Sequence, residues 1–249
     1  MSKVALIRCE SYDYNEVFAS VKRGIDLLGG AEAFVKSGEK ILLKPNWLVG
    51  VAPERAATTH PMVLKAVAEV LQSAGAKLTC GDSPGAGHIS DPLRVSEKNG
   101  CKAVMDELNI PMADFVDGRE VFFKEARQNK KLFLANGALD CDGIISISKL
   151  KTHAFLKLTG AIKNQFGCVP GMRKGEFHIK LPDPAEFARM LVDLNAYLQP
   201  RLFVMDGIVA MEGNGSLYRV FATDVPAAMV HPAVQRLGTI GINQVWVRE

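Results

Sequence analysis

The chain has 249 residues, 48% hydrophobic and 23% charged, and a formal net charge of +3. That is enough chain for one large domain with a sizeable core. The charge balance is too small, and the aromatic residues too rarely interleaved with basic ones, to indicate nucleic acid as a partner. No apolar run approaches the ~20 residues that a bilayer-spanning helix needs, so no membrane partner is indicated. The amino-terminal stretch MSKVALIRCESYDYNE meets charge too early for a secretory signal. Five cysteines, an odd number without a C-x-x-C pair, point to reduced thiols in a cytoplasmic protein rather than a disulfide framework.

In chain order, the short apolar run at 4–9 predicts a first strand. A helix over 15–28 follows from Val17, Val21, Ile25 and Leu28, with Gly29 and Gly30 as its stop. KILLK at 40–44 predicts a buried strand leaving through Pro45, and 61–73 a helix with Pro61 in its first turn. A strand at 77–80 opens into Gly81-Asp82-Ser83-Pro84-Gly85. Residues 91–108 are helical with a break at Asn99-Gly100, and 112–135 hold short strands with turns at Asp117-Gly118 and Gln128-Asn129. DGIISIS at 142–148 is a buried strand. Asp183-Pro184-Ala185-Glu186 starts a helix ending near Gln199, and 201–209 forms the last strand. Alternating strands and helices predict an α/β fold, a single large domain with a mainly parallel or mixed sheet and helices on both faces.

Four polar, Gly-rich segments follow predicted strands: 45–60, 81–90, 149–175 and 206–215. Ligands of open parallel sheets bind beyond the carboxyl ends of the strands, so these loops are expected to share one rim. The segment 149–180 carries seven basic residues against the single acid Glu176, a surplus of six in a chain whose net charge is +3. Such a cluster on a glycine-punctuated backbone suits an anion; the competing reading is a solvated basic face. Lys163 stands between Gly160 and Gly167 behind the apolar pair Ala161-Ile162. Its stem is therefore expected to pack while its head reaches a cavity, with Asn164 beside it as a directed donor. Lys44 closes a buried strand, where an unpaired ammonium is costly, and so is expected at a polar site with Asn46. Thr59 and His60 open a helix whose amino terminus favours anions, although simple capping would explain them too. Asp82 and Ser83 follow a strand, where a plain tight turn is the rival reading. His60, His88, His153 and His178 lack metal-ligand spacing, so no metal is assigned.

The strings KPNW (44–47), TTHP (58–61), GDSPG (81–85), SKLKTH (148–153), TGAIKNQFG (159–167) and MEGNG (211–215), with His178, occur in the order seen in the DUF362 family. Over about residues 3–215 the chain resembles that family of largely uncharacterised proteins. Many of its members carry a carboxy-terminal ferredoxin-type domain with two 4Fe–4S clusters. The resemblance thus implies an iron–sulfur association, with a redox partner or a homo-oligomer as the companion. A more distant similarity to lactate-racemase-type enzymes supports no assignment. Two departures stand out. Residues 216–249 do not follow the family's pattern and read as an atypical tail, loosely attached or used in an oligomer contact. The C-x-x-C-x-x-C-x-x-x-C-P run is also missing, so no 4Fe–4S site is assigned and the cofactor is left unknown.

The expected site combines Lys163, His153, His178 and Asp82 as reacting groups with Lys44, Asn46, Thr59, His60, Ser83 and Asn164 as ligand-binding ones. Asp206, Glu212 and Asn214 are expected to close it. The expected ligand is a small carboxylate or phosphate. Two classes remain open: the catalytic half of a redox system, and a non-catalytic ligand-binding or partner-docking module, of which a truncated inactive family member is one form.

Overall fold

The computed structural model describes residues 3–85 and 91–213, with the backbone of Ser216–Tyr218. In chain order the elements begin with α1 (Tyr14–Leu27), β1 (Lys40–Pro45), α2 (Pro61–Ser73), β2 (Lys77–Cys80), α3 (Pro92–Lys98) and α4 (Cys101–Glu107). Next come β3 (Gly118–Phe122), β4 (Lys131–Ala135), α5 (Asn136–Leu139), β5 (Gly143–His153) and β6 (Lys157–Thr159). The last are α6 (Ala161–Asn164), α7 (Arg173–Lys180), α8 (Pro184–Leu198), β7 (Leu202–Glu212) and β8 (Ser216–Tyr218).

The main sheet has the order β2-β1-β5-β7-β8, with β6 pairing to β5. Strands β2, β1, β5 and β7 are parallel; β6 and β8 are antiparallel additions. Strands β3 and β4 form a separate antiparallel pair. The fold is therefore α/β with a mostly parallel sheet.

Strand alternation assigns the faces. Ile41, Leu43, Ile145, Ile147 and Leu202 pack with α1, α2 and α4 in one core. Leu42 and Ile144 point the other way, into a cluster with Phe115, Ala135, Ala138 and Cys168. Beyond it, Phe187, Met190, Leu191 and Leu194 of α8 pack with Leu132, Leu134 and Phe166. Both faces are covered, which is why the inner strands read as unbroken apolar runs. Helix ends follow local chemistry. Pro61 opens α2 after His60, whose Nδ1 accepts the Met62 N–H at 3.2 Å. Asp183 accepts the Ala185 and Glu186 N–H groups at 2.9 Å, and α8 ends where Gln199 turns left-handed. The predicted break at Asn99-Gly100 separates α3 from α4, with Gly100 at φ 80°.

The expected strand at 4–9 does not form. Residues 3–10 carry no ladder; the segment lies against α1, with Ile7 beside Gly24 and the Ser20 hydroxyl donating to Arg8 O at 3.5 Å. A short apolar run marks burial, and a helix surface satisfied it here in place of a sheet. The expected loop at 149–153 turns out to continue β5 and return as the β6 hairpin, and β7 runs past the predicted strand end at 209 to Glu212. Apart from the backbone of Ser216–Tyr218, which adds β8 to β7, the atypical tail lies outside the described residues.

Strand order locates the crevice. From β1 the chain crosses through α2 to β2 on one side, and later enters β5 on the other side of β1. The reversal makes the carboxyl ends of β1 and β5 the switch point, the place where such sheets bind ligands.

A second polar cluster ties this sheet to the amino-terminal segment. Lys149 and Asp206 are register partners on β5 and β7, both buried, with Nζ 2.9 Å from Oδ2. The Tyr12 hydroxyl donates to Asp206 Oδ1 at 2.7 Å, accepts from Lys149 Nζ at 2.9 Å, and its ring stacks on His60 at 3.7 Å. The other Asp206 oxygen also accepts the His60 N–H at 3.0 Å. Removing one member leaves a buried charge alone, so Asp206→Ala should cost about 3–5 kcal/mol in urea unfolding. A loss below about 1 kcal/mol would show that the pair is solvated.

Candidate anion-binding site

The Lys44 side chain points off β1 toward the loop after β2, and its ammonium is wholly buried. Its Nζ lies 2.7 Å from Asp82 Oδ1 and donates to Pro45 O at 2.8 Å and Asn164 Oδ1 at 3.3 Å. Asp82 Oδ2 accepts the Trp47 N–H at 2.7 Å. Asn164, on α6, donates through Nδ2 to Lys44 O and Ser146 Oγ, each at 3.0 Å. Since Lys44 and Ser146 are register partners on β1 and β5, Asn164 bridges the two strands at their carboxyl ends. Gly167 sits directly over the ion pair: a Cβ there would stand 1.9 Å from Asp82 Oδ1 and 2.7 Å from Lys44 Nζ.

Lys151 projects from β5 into the same region. Its Nζ donates to Asn46 Oδ1 at 2.7 Å and to Ala57 O, while Asn46 Nδ2 donates to Asn164 Oδ1 at 3.2 Å. Burial, with the Lys163 charge nearby, lowers the Lys151 amine to about 7. Lys174 of α7 closes the other side, donating to Ser83 O, to Ser83 Oγ at 2.7 Å and to Pro84 O at 2.9 Å. Burial holds it near 8.

Beside Lys174 opens a cleft of about 360 Å³, lined also by Lys163, His153, His178 and Phe166. The Lys163 ammonium has no hydrogen-bond or ion-pair partner among the described residues. Burial and the Lys44 charge lower its amine to about 8. The His153 Nδ1 accepts the Phe155 and Leu156 N–H groups at 3.2 and 3.1 Å. A neutral ring with that nitrogen as acceptor carries its proton on Nε2. Burial lowers His153 to about 4, so the ring is neutral at pH 7. His178 is lowered in the same direction by burial and stacks on Phe187 at 4.6 Å.

The residues expected from sequence thus divide. Lys44, Asn46, Asp82, Ser83, His153, Lys163, Asn164 and His178 converge on one region, but neither imidazole hydrogen-bonds to Lys163 or Asp82. Thr59 is structural: its Oγ1 accepts the Asn46 N–H at 2.8 Å and donates to Ile147 O at 2.7 Å. His60 and Asp206 belong to the Tyr12–Lys149 cluster instead, because residue 206 is a strand position facing α1 and α2. Glu212 is exposed at the end of β7; Asn214 and His88 lie outside the described residues. Sequence reasoning did not single out Lys151, Lys174, Ser146 or Gly167. The alternation Lys149, Lys151, His153 was the available signal for Lys151, and it was read as loop. Cys80, Cys101 and Cys168 are fully buried with their thiols pushed up, Cys101 and Cys168 to about 12. Among the described residues no three His, Cys, Asp or Glu side chains gather around a metal position.

Gly167→Ala should displace the Lys44–Asp82 pair and cost roughly 3 kcal/mol or more, the range for breaking a buried pair. Gly175→Ala meets open space inside α7 and should be neutral or stabilising by up to about 1 kcal/mol. Equal effects of the two substitutions in thermal unfolding would contradict the close approach at Gly167.

Both the fold and the sequence have counterparts among known proteins. A solved structure of the lactate racemase apoprotein from Thermoanaerobacterium thermosaccharolyticum superposes over 87% of this chain with a TM-score of 0.51. The identity is 14%, which shows shared fold alone, and the chain spans about half (53%) of that racemase's length. The Thylakoid-associated protein sll1697 of Synechocystis sp. is 39% identical over 219 residues, covering 88% of this chain and 67% of its own length. The family described as Domain of unknown function (DUF362) matches residues 41–225, a span containing every residue of the lysine-lined cleft, and the chain belongs to that family.

Proposed function

We propose that the cleft at the β1–β5 switch point binds a small anion, a carboxylate or a phosphate, through Lys163 and exchanges protons with it. The observation that carries this reading is the Lys163 ammonium. It lines the cleft without a hydrogen-bond or ion-pair partner among the described residues, next to a region where Lys44, Lys151 and Lys174 meet one described carboxylate, Asp82, that is already engaged. A solvated basic face would scatter its charges in water, whereas here Lys44, Lys151 and Lys174 are buried. Partly desolvated lysines interact strongly with an incoming anion because little water screens them. His153 stands on the same wall with Nε2–H available as a neutral donor, and Lys163 itself can take or give a proton near neutrality. We place the protein in a reducing, cytoplasmic compartment, supported by five free thiols; among the described residues no helix is long and apolar enough to cross a membrane.

Lys163→Ala should weaken anion binding by about 1.5–3 kcal/mol, the worth of a charge-assisted hydrogen bond. Lys157→Ala, exposed at the start of β6, should change it little. Equal small effects by calorimetry would reduce the cluster to a solvated surface.

The pH dependence has a definite sign. The groups around the cleft are Lys44, Lys151, Lys163, Lys174, His153, His178 and Asp82. Lys151, Lys163 and Lys174 titrate in the free protein near 7, 8 and 8. A bound anion favours their protonated forms, so binding takes up protons above those values and none below them. Sulfate affinity should therefore be flat only below about pH 6 and fall as pH rises through 7 toward 9. An affinity that rises across that range would overturn the assignment.

A further inference from the structure

Resting on that reading, we propose that the cleft selects a doubly charged phosphoryl group, carried on a small organic body as a phosphate monoester, over a monocarboxylate. Countercharge is the first ground. Among the described residues Asp82 is the single carboxylate beside Lys44, Lys151, Lys163 and Lys174, and both its oxygens are engaged, by Lys44 Nζ and by the Trp47 N–H at 2.7 Å each. With all four lysines protonated, one carboxylate ligand would leave two positive charges without countercharge in a poorly solvated region; a phosphoryl dianion leaves one.

Donor geometry is the second ground. Lys174 directs its donors to Ser83 O, Ser83 Oγ and Pro84 O, and Lys151 directs two of three to Asn46 and Ala57. Lys163 has no hydrogen-bond partner among the described residues. No described arginine lines the cleft, and Arg173 instead packs over the Phe133 ring at 3.7 Å. A guanidinium fork matches carboxylate and phosphate alike; ammonium groups act as point charges, which depend on the ligand's total charge and so favour a compact dianion. The eight-residue helix α7 adds to this. It begins without a side-chain cap, and Met172, Lys174 and Gly175 of its first turn border the cleft. The remaining wall, with Leu48, Phe166 and Met172, is apolar and leaves room beyond the phosphoryl group for an organic body.

Calorimetric titration of the full chain near pH 8, where a phosphate monoester is a dianion, with methyl phosphate and with acetate tests this. Methyl phosphate should bind at least about tenfold more tightly than acetate, and Lys163→Gln should remove about tenfold or more of that affinity. Because Lys163 makes no hydrogen bond to the described residues, Lys163→Gln should melt where the unsubstituted protein does, and Lys157→Gln serves as the exposed control. Acetate binding as tightly as methyl phosphate, with both weakened by Lys163→Gln, would overturn the dianion preference and leave the anion site standing. Binding of neither would overturn both. Methyl phosphate binding indifferent to Lys163→Gln would overturn the placement of the phosphoryl group.

Discussion

The buried contact between Lys44 and Asp82 is the constraint on which the rest of the site depends. Two charges removed from water lose several kcal/mol each, and their attraction offsets this only when the remaining donors and acceptors are satisfied. Around this pair they largely are, by Pro45 O, Asn164 Oδ1 and the Trp47 N–H. The partners come from β1, from the loop after β2 and from α6, segments 120 residues apart at the extreme. Fixing the pair fixes where these meet. Gly167 follows as a consequence, since no side chain fits between that backbone and Asp82. Ser83, one residue on, then receives the Gly167 carbonyl on its N–H and latches Lys174, so the α7 wall of the cleft is built outward from the same contact.

This construction also explains why Lys163 can stay unpaired. Asp82 would be its natural partner, but Lys44 and Trp47 hold both carboxylate oxygens. The site is thereby left with more cationic groups than anionic ones, at the end of the sheet where the strand order reverses. An isolated protein lowers that cost by releasing protons, which is the physical meaning of three lysines titrating between 7 and 8. The Lys149–Asp206 pair is a separate cluster nearer the middle of β5, matched one to one and closed by Tyr12 and His60.

Much of this was legible in sequence, for identifiable reasons. The inner strands β1 and β5 are buried on both sides, so KILLK and GIISIS stand out as uninterrupted apolar runs, and Pro61 and Asp183 mark helix starts by their local chemistry. Lys44 and Lys163 were legible because each sits where a charge should be costly. Other features were not. The run at 4–9 is as apolar as a strand, yet it packs on α1, and only tertiary context separates the two outcomes. Lys149, Lys151 and His153 alternate as strand residues do, but strong charge masked the period. Asp206 was assigned to the site because a polar segment begins there, whereas strand register pairs it with Lys149 and so with Tyr12 and His60. Lys174 reaches the cleft through a helix whose polar sequence carries no burial signal.

The central claim is that the surplus charge at the β1–β5 switch point exists to meet an anion. Its most direct test is anomalous diffraction from crystals of the protein soaked in selenate, a heavy analogue of a tetrahedral dianion. The account predicts a selenium peak in the cleft, within hydrogen-bond distance of Lys163 Nζ and beside Lys174, with the Lys44–Asp82 pair intact. Selenate bound only on the outer surface, with the Lys163 ammonium turned to bulk solvent, would contradict it.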